Sequence, residues 1–254
     1  VTLAPGLPPV DLGRPLVRLG EATSTNDIAR VLAQAGVQVG AAVVADRQTA
    51  GRGRLGRVWA SPRGGLWMSV LLRSDGPSPL GALSLAAGLA AADAITAATG
   101  LDPRLKWPND VLLRGRKVAG VLIEAAADSL IVGIGVNVAI MLNDLPPDAA
   151  VRATSLHVEV GRPVSPHQVL QALLDRLAYW YGVWRAGGPV VQAWRDRDAL
   201  RGVPLLVTLS DHTLDGVGDG VDDDGALRLR LSDGEVRRVT AGDVQAVARA
   251  LGAV

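Results

Sequence analysis

The sequence predicts an α+β (α/β) protein: a main domain whose mixed, largely antiparallel sheet carries helices on one face, followed by a small all-β module. Three observations lead there. Long Ala/Leu-rich helical stretches alternate with short β-branched runs in the first 200 residues. Several strand-like runs in the middle follow each other too closely for helical crossovers, so they must pair antiparallel. After Arg201 only short strands and turn signals remain. At 254 residues, 48% hydrophobic and 20% charged, the chain has the material for such a core.

The elements follow in order. Ile28, Val31, Leu32 and Ala35 recur at helical spacing, so a first helix runs from Thr25 to Ala35, with Ser24 or Thr25 as its cap. Ala41–Ala45 is a valine-containing strand, a Gly/Arg segment intervenes, and Leu66–Leu72 is strand-like again. Pro79–Ala98 is a helix stopped by Gly100. Asp93 interrupts its apolar run, so it reads as a buried helix and not a membrane span. Strands are expected from Asp110, from Lys117 to Ala125 and from Leu130 to Val138, with a turn at Gly115. A helix covers Pro166–Trp184, its stripe being Val169, Leu170, Leu173, Leu174, Leu177 and Tyr181, and a shorter one Val190–Leu200. The module then has strands at Val203–Leu209, Leu214–Val221, Ala226–Leu231 and Glu235–Val239. Leu227–Leu231 alternates leucine with arginine, which gives a wall one dry side. The boundaries expected are an N-terminal extension over 1–16, a main domain over 17–199 and the module over 200–254.

Charge excludes little by its total, since 26 Lys+Arg against 25 Asp+Glu leaves +1 and no global pull toward nucleic acid or membrane. Absence of cysteine removes thiolate catalysis and cysteine-based zinc, and fits a reducing, cytoplasmic setting. His157, His167 and His212 lack ligand spacing, and Asp222–Gly225 reads as a turn instead of a calcium loop.

Position of charge is more telling. Between Arg47 and Arg63 lie five arginines (47, 52, 54, 57, 63) and no acid, interleaved with glycine, a composition suited to clamping polyphosphate. A solvated basic loop or an RNA contact would have the same composition. Residues 51–56 match G-x-G-x-x-G, but the segment leads toward another strand, which argues against a dinucleotide fold. Lys106-Trp-Pro-Asn-Asp110 groups a cation, an amide and a carboxylate; the lysine suits phosphate and Asp110 suits Mg²⁺. Gly120 after Lys117, and Gly133 and Gly135 before Asn137, leave bare backbone that can floor a pocket.

Taken in order, Ser24-Thr-Asn26, Gln48 through Arg57, Lys106 through Asp110, Lys117-Val-Ala-Gly120 and Gly133 through Asn137 resemble the biotin–protein ligase family. The resemblance implies a class II synthetase-like catalytic domain with a C-terminal SH3-like β barrel. It implies that biotin and ATP, with Mg²⁺, give biotinyl-5′-AMP and pyrophosphate, after which a lysine of the biotin carboxyl carrier protein of acetyl-CoA carboxylase displaces AMP. Carried over residue by residue, Ser24, Thr25, Asn26, Gln48, Gly51, Arg52, Arg54, Lys117, Gly120 and Gly135 would hold biotin. Arg54, Arg57, Trp59, Lys106, Asn109 and Asn137 would serve the nucleotide, with Trp59 against adenine. Arg54, Lys117, Lys106 and Asp110 would be catalytic, Asp110 also holding Mg²⁺ or taking the proton of the acceptor lysine. Relatives with an N-terminal helix-turn-helix also act as repressors; the proline-rich residues before Ser24 lack two helical patterns, so DNA regulation is not expected. A homodimer is left open. Rival readings are a lipoate–protein ligase and a nucleic-acid-binding module built on the Arg-rich loop.

Overall fold

In the computed structural model, residues 11–75, 79–126 and 128–247 are described. The expected N-terminal extension and the end of the β module thus lie partly outside them. Seven strands form the main sheet: β1 (Leu16–Leu19), β2 (Ala42–Ala45), β3 (Leu66–Arg73), β4 (Arg104–Lys106), β5 (Asp110–Leu113), β6 (Arg116–Ala126) and β7 (Ser129–Val136). Their order is β1-β2-β3-β7-β6-β5-β4. Only β1 and β2 run parallel; the other neighbours are antiparallel, so the sheet is mixed and largely antiparallel as the close spacing required.

Helices α1 (Thr25–Gln34), α2 (Leu80–Thr99), two short helices α3 (Pro147–Ala150) and α4 (Leu156–Val160), α5 (Pro166–Arg185) and α6 (Val190–Arg195) complete the main layer. Gly100 ends α2 in the left-handed conformation, φ 75°. Long and apolar enough to cross a membrane by length and composition, α2 is instead a core helix, packed on α5 and the sheet.

The expectation of helices on one face only is corrected. Val43, Leu71 and Ile131 meet Ala29 of α1 on one side of the sheet, while Ala42, Val44, Val70, Leu72 and Val132 meet α2 and α5 on the other. That is why β2 is buried at every residue, without the two-residue alternation of a one-sided sheet. The last helix of the layer is also shorter than expected, ending at Arg195 and not Leu200, because Leu105 and Asp198 form an isolated bridge that draws the chain into extended structure beside β4. Ser24 occupies the N-cap position of α1, yet its side chain makes no capping bond.

The C-terminal part is a five-stranded antiparallel sheet of β8 (Pro204–Thr208), β9 (Thr213–Val221), β10 (Leu227–Arg230), β11 (Val236–Val239) and β12 (Asp243–Ala246), ordered β11-β10-β9-β8-β12. Leu227 and Leu229 are buried and Arg230 is exposed, as the alternation required. This sheet does not float: Leu205, Val207, Leu227 and Leu229 belong to the same apolar cluster as α2, and Trp107 Nε1 donates to Gly225 O across 2.8 Å.

Candidate active site

The register of the main sheet builds the site. Ala45 pairs with Trp67, Trp67 with Gly135, Gly135 with Gly120, Gly120 with Asp110 and Asp110 with Lys106. Directly paired residues in a sheet share a face. Motifs separated by up to 90 residues therefore become one row, with bare backbone at its centre and a carboxylate and an ammonium at its end. Lys117 is three residues from Gly120 and would face the opposite side of a regular strand. The register shift between β5 and β6 pairs Lys117 with Leu112 and so re-aims it onto the same face. There its ammonium forms an ion pair with Asp110 at 2.5 Å and lies 4.9 Å from the Trp59 ring centroid.

Glycine is demanded at the centre of this row. A Cβ on Gly135 would stand 2.7 Å from Trp59 Nε1, and one on Gly133 2.4 Å from Asn26 Oδ1. Trp59 thus lies flat against the floor, with its indole N–H buried and without an acceptor among the described residues. Trp59, expected against adenine, lies across the Gly120 and Gly135 backbone and lines the site.

Above the floor opens a cleft of about 1780 Å³, reaching from Ser24 and Gln48 past the row to Asp243 of β12. A continuous polar chain lines its inner end. Gln48 Nε2 donates to Ser61 Oγ (2.8 Å), and Gln48 Oε1 accepts from Thr25 N (2.7 Å) and lies 3.1 Å from Thr25 Oγ1. Ser69 Oγ lies 2.7 Å from Thr25 Oγ1 and 2.6 Å from Asn26 Oδ1. Asn26 Nδ2 donates to Glu124 Oε2 (2.8 Å), which also receives Arg30 and Arg52. Ser24, buried beside them, has a hydroxyl with no hydrogen-bond partner among the described residues.

The Arg-rich loop folds back on itself through Gly53 N to Arg57 O (2.7 Å) and Trp59 N to Gly51 O (2.9 Å). Of its five guanidinium groups, those of Arg52, Arg54 and Arg57 have different fates. Arg52 lines the cleft and grips Asp27 with two bonds of 2.7 and 2.9 Å, which holds the Asp27 carboxyl below the usual carboxylate range. Arg57 reaches β12 and forks onto Asp243 at 2.7 and 3.0 Å. Arg54 makes neither hydrogen bond nor ion pair among the described residues; burial lowers its pKa, against the attraction of Asp110 and Asp243.

Lys106, Asn109 and Asn137 also line the cleft. Lys106 is unpaired among the described residues, whereas Asn109 Nδ2 is given to Val121 O (2.7 Å) and Asn137 Nδ2 to Thr154 O (3.0 Å). Those two amides fix the strand ends, leaving their oxygens for a ligand. For Mg²⁺, the described residues contain no group of three His, Cys, Asp or Glu able to hold a metal, and Asp110 is occupied by Lys117. A resident metal centre does not fit; the Mg²⁺ that the resemblance implies would come with ATP, its ligands the phosphate oxygens.

Sequence reasoning missed Ser69, Glu124 and Asp27, which hold the predicted residues in place. The signal was present for two: Ser69 and Glu124 are lone polar residues inside otherwise apolar strands.

Residues 19–140 match the Biotin/lipoate A/B protein ligase family, and residues 205–246 the Biotin protein ligase C terminal domain. A Biotin--[acetyl-CoA-carboxylase] ligase of Paracoccus denitrificans is 39% identical over 228 residues, covering 84% of this chain and 92% of that protein. The chain belongs to the biotin–protein ligase family. A ligase of the same name from Mycobacterium tuberculosis is 36% identical, covering 91% of this chain and 88% of its own length. The biotin protein ligase of Aquifex aeolicus, solved in complex with biotin and ATP, superposes with a TM-score of 0.81 at 32% identity, over 91% of this chain and 98% of that one. The Rossmann reading of residues 51–56 is excluded: the glycines lead into a single 3₁₀ turn, Arg54–Gly56, and not a helix that could meet a pyrophosphate. Within a biotin–protein ligase, the row from Lys106 to Gly135 is where motifs distant in sequence become one surface.

Proposed function

We propose that this chain is an ATP-dependent biotin–protein ligase that forms biotinyl-5′-AMP and then biotinylates a lysine of the biotin carboxyl carrier protein of acetyl-CoA carboxylase. The observation that carries the reading is Arg54: a half-buried guanidinium without a partner among the described residues, facing a glycine-floored cleft in which Lys106 is likewise unpaired among them. Unpaired cations in a confined cleft select an anionic ligand.

The chemistry follows from charge. Biotin's carboxylate is ionised at neutral pH, so its oxygen needs no general base to attack the α-phosphorus of ATP. As that bond forms, the α–β phosphoanhydride bond breaks and pyrophosphate leaves with the electron pair. Arg54, Lys106 and Lys117 offset the repulsion between carboxylate and phosphate and the charge on the leaving oxygen. Ser24, Thr25 and Gln48 offer hydroxyl and amide groups to the ring system of biotin at the inner end. Mg²⁺ enters on ATP and supplies further charge neutralisation. In the second step a neutral acceptor amine attacks the acyl carbon, AMP leaves, and one proton is released. Because Asp110 is held by Lys117, we assign that proton to solvent instead of to Asp110.

Carrier protein, reducing cytoplasmic setting and residue roles all belong to this proposal; the lack of cysteine agrees with the compartment. Pyrophosphate exchange into ATP, with biotin or lipoate added separately, tests it. Biotin-dependent exchange is expected. Exchange with lipoate alone would transfer the assignment to lipoate ligation, and exchange with neither would overturn adenylation.

A further inference from the structure

The C-terminal sheet lines the cleft with Asp243, Val244, Gln245 and Ala246 of β12, and Asp243, the first residue of that strand, is the one carboxylate among them. Asp243 accepts both fork hydrogens of Arg57 and a weaker bond from Gln245 at 3.4 Å. It lies within electrostatic reach of Arg54 and Lys106 as well. Arg57, Arg54 and Lys106, the three cations that the family resemblance assigns to the nucleotide, thus all feel one carboxylate supplied by the other sheet.

A tether that orders the Arg-rich loop is one use for such a carboxylate, but the loop does not need it. Its backbone is closed by Gly53 N to Arg57 O and Trp59 N to Gly51 O, and its base is fastened by Arg52 on Asp27. What Asp243 determines is where the Arg57 guanidinium points and how much positive potential the mouth presents. Both effects oppose an arriving anion: the fork is already filled, and a negative charge sits among the cations. The Arg57 side chain is 61% exposed, so the pair is weak and phosphate can displace it.

We propose that Asp243 is a positioning residue that competes with nucleotide phosphate for Arg57, holding the guanidinium when the cleft is empty and taking it back as pyrophosphate leaves. Resting on the ligase reading, this inference adds a role for the C-terminal sheet: it limits how tightly the clamp holds its anions.

The test compares D243N, D243S and D243E with the unsubstituted protein, measuring binding of MgATP and of inorganic pyrophosphate by calorimetry, and ATP KM and kcat in biotin adenylation. D243N and D243S should bind both anions about two- to fivefold tighter, the range an exposed ion pair commands. ATP KM should fall with no rise in kcat, and D243E should stay at the unsubstituted values. A merely structural residue would raise KM and lower kcat together. Unchanged or weaker anion binding in both D243N and D243S, or D243E as tight as either, would overturn the inference while the unsubstituted protein still binds ATP. Failure of that protein to bind ATP at all would instead overturn the ligase reading beneath it.

Discussion

Replacing Ser69 by alanine isolates the polar chain under the cleft. Ser69 is fully buried, and its hydroxyl stands 2.6 Å from Asn26 Oδ1 and 2.7 Å from Thr25 Oγ1. Since an amide oxygen only accepts, the serine proton belongs to Asn26, and Thr25 donates to Ser69. In alanine's presence Thr25 retains an alternative, Gln48 Oε1 at 3.1 Å. Asn26 Oδ1 has none, because the residue is 3% exposed and the sheet backbone at Gly133 lies directly beneath it. One buried acceptor is left unsatisfied, at a cost of about 1–3 kcal/mol. With 254 residues, a loss of about 2 kcal/mol lowers Tm by roughly 4–8 °C. Urea unfolding followed by tryptophan fluorescence should show a lower midpoint at unchanged m. Biotin KM in the exchange assay should rise, because Asn26 carries the link to Glu124 and Arg52. A stability change below about 0.5 kcal/mol would refute the reasoning, since it would mean Asn26 finds another donor.

Arg54→Ala should leave stability within about 0.5 kcal/mol, because burial disfavours its charge and no partner is lost, while biotin-dependent exchange falls by about 100-fold or more; loss of fold together with activity would count against its role at the phosphate. The Asp27 carboxyl is held below its ordinary value chiefly by Arg52, so its contribution is present above the unfolded carboxylate pKa of about 3.9 and is lost as pH falls through the lower folded value. Urea midpoints of Arg52→Ala should accordingly decline less steeply with acid below about pH 4 than those of the unsubstituted protein; parallel curves would remove the linkage. Gly135→Ala places a methyl group 2.7 Å from Trp59 Nε1, so the indole must leave the floor; adenylation should fall while the circular dichroism spectrum is kept, and full activity would show that Trp59 need not lie there.

Local rules made much of the fold legible in the sequence. Gly100 stops α2, the Ser-Asp-Gly signal marks the β10–β11 turn, and alternation of Leu227, Arg228, Leu229 and Arg230 reports one dry face. Each is a property of a few neighbouring residues, so no distant partner is needed to see it. The family motifs were legible for a related reason, since Lys106–Asp110 and Gly51–Arg57 concentrate charge and glycine that a plain surface has no use for.

Partners distant along the chain were not legible. β1 takes its place by parallel pairing with β2, β12 by closing onto β8, and β4 through β5 and the bridge from Leu105 to Asp198. These are three- and four-residue strands whose own composition is too short to carry a period. Placement of α1 opposite α2 depended on which face of the sheet remained uncovered. Above all, the sequence by itself determined that Arg52, Arg54 and Arg57 would be near a cleft, but tertiary structure decided that Asp27 takes the first, Asp243 the third, and none of the described residues the second. A guanidinium's availability is set by the carboxylates that folding brings within about 3 Å of it, and those come from α1 and β12, on opposite sides of the chain's length.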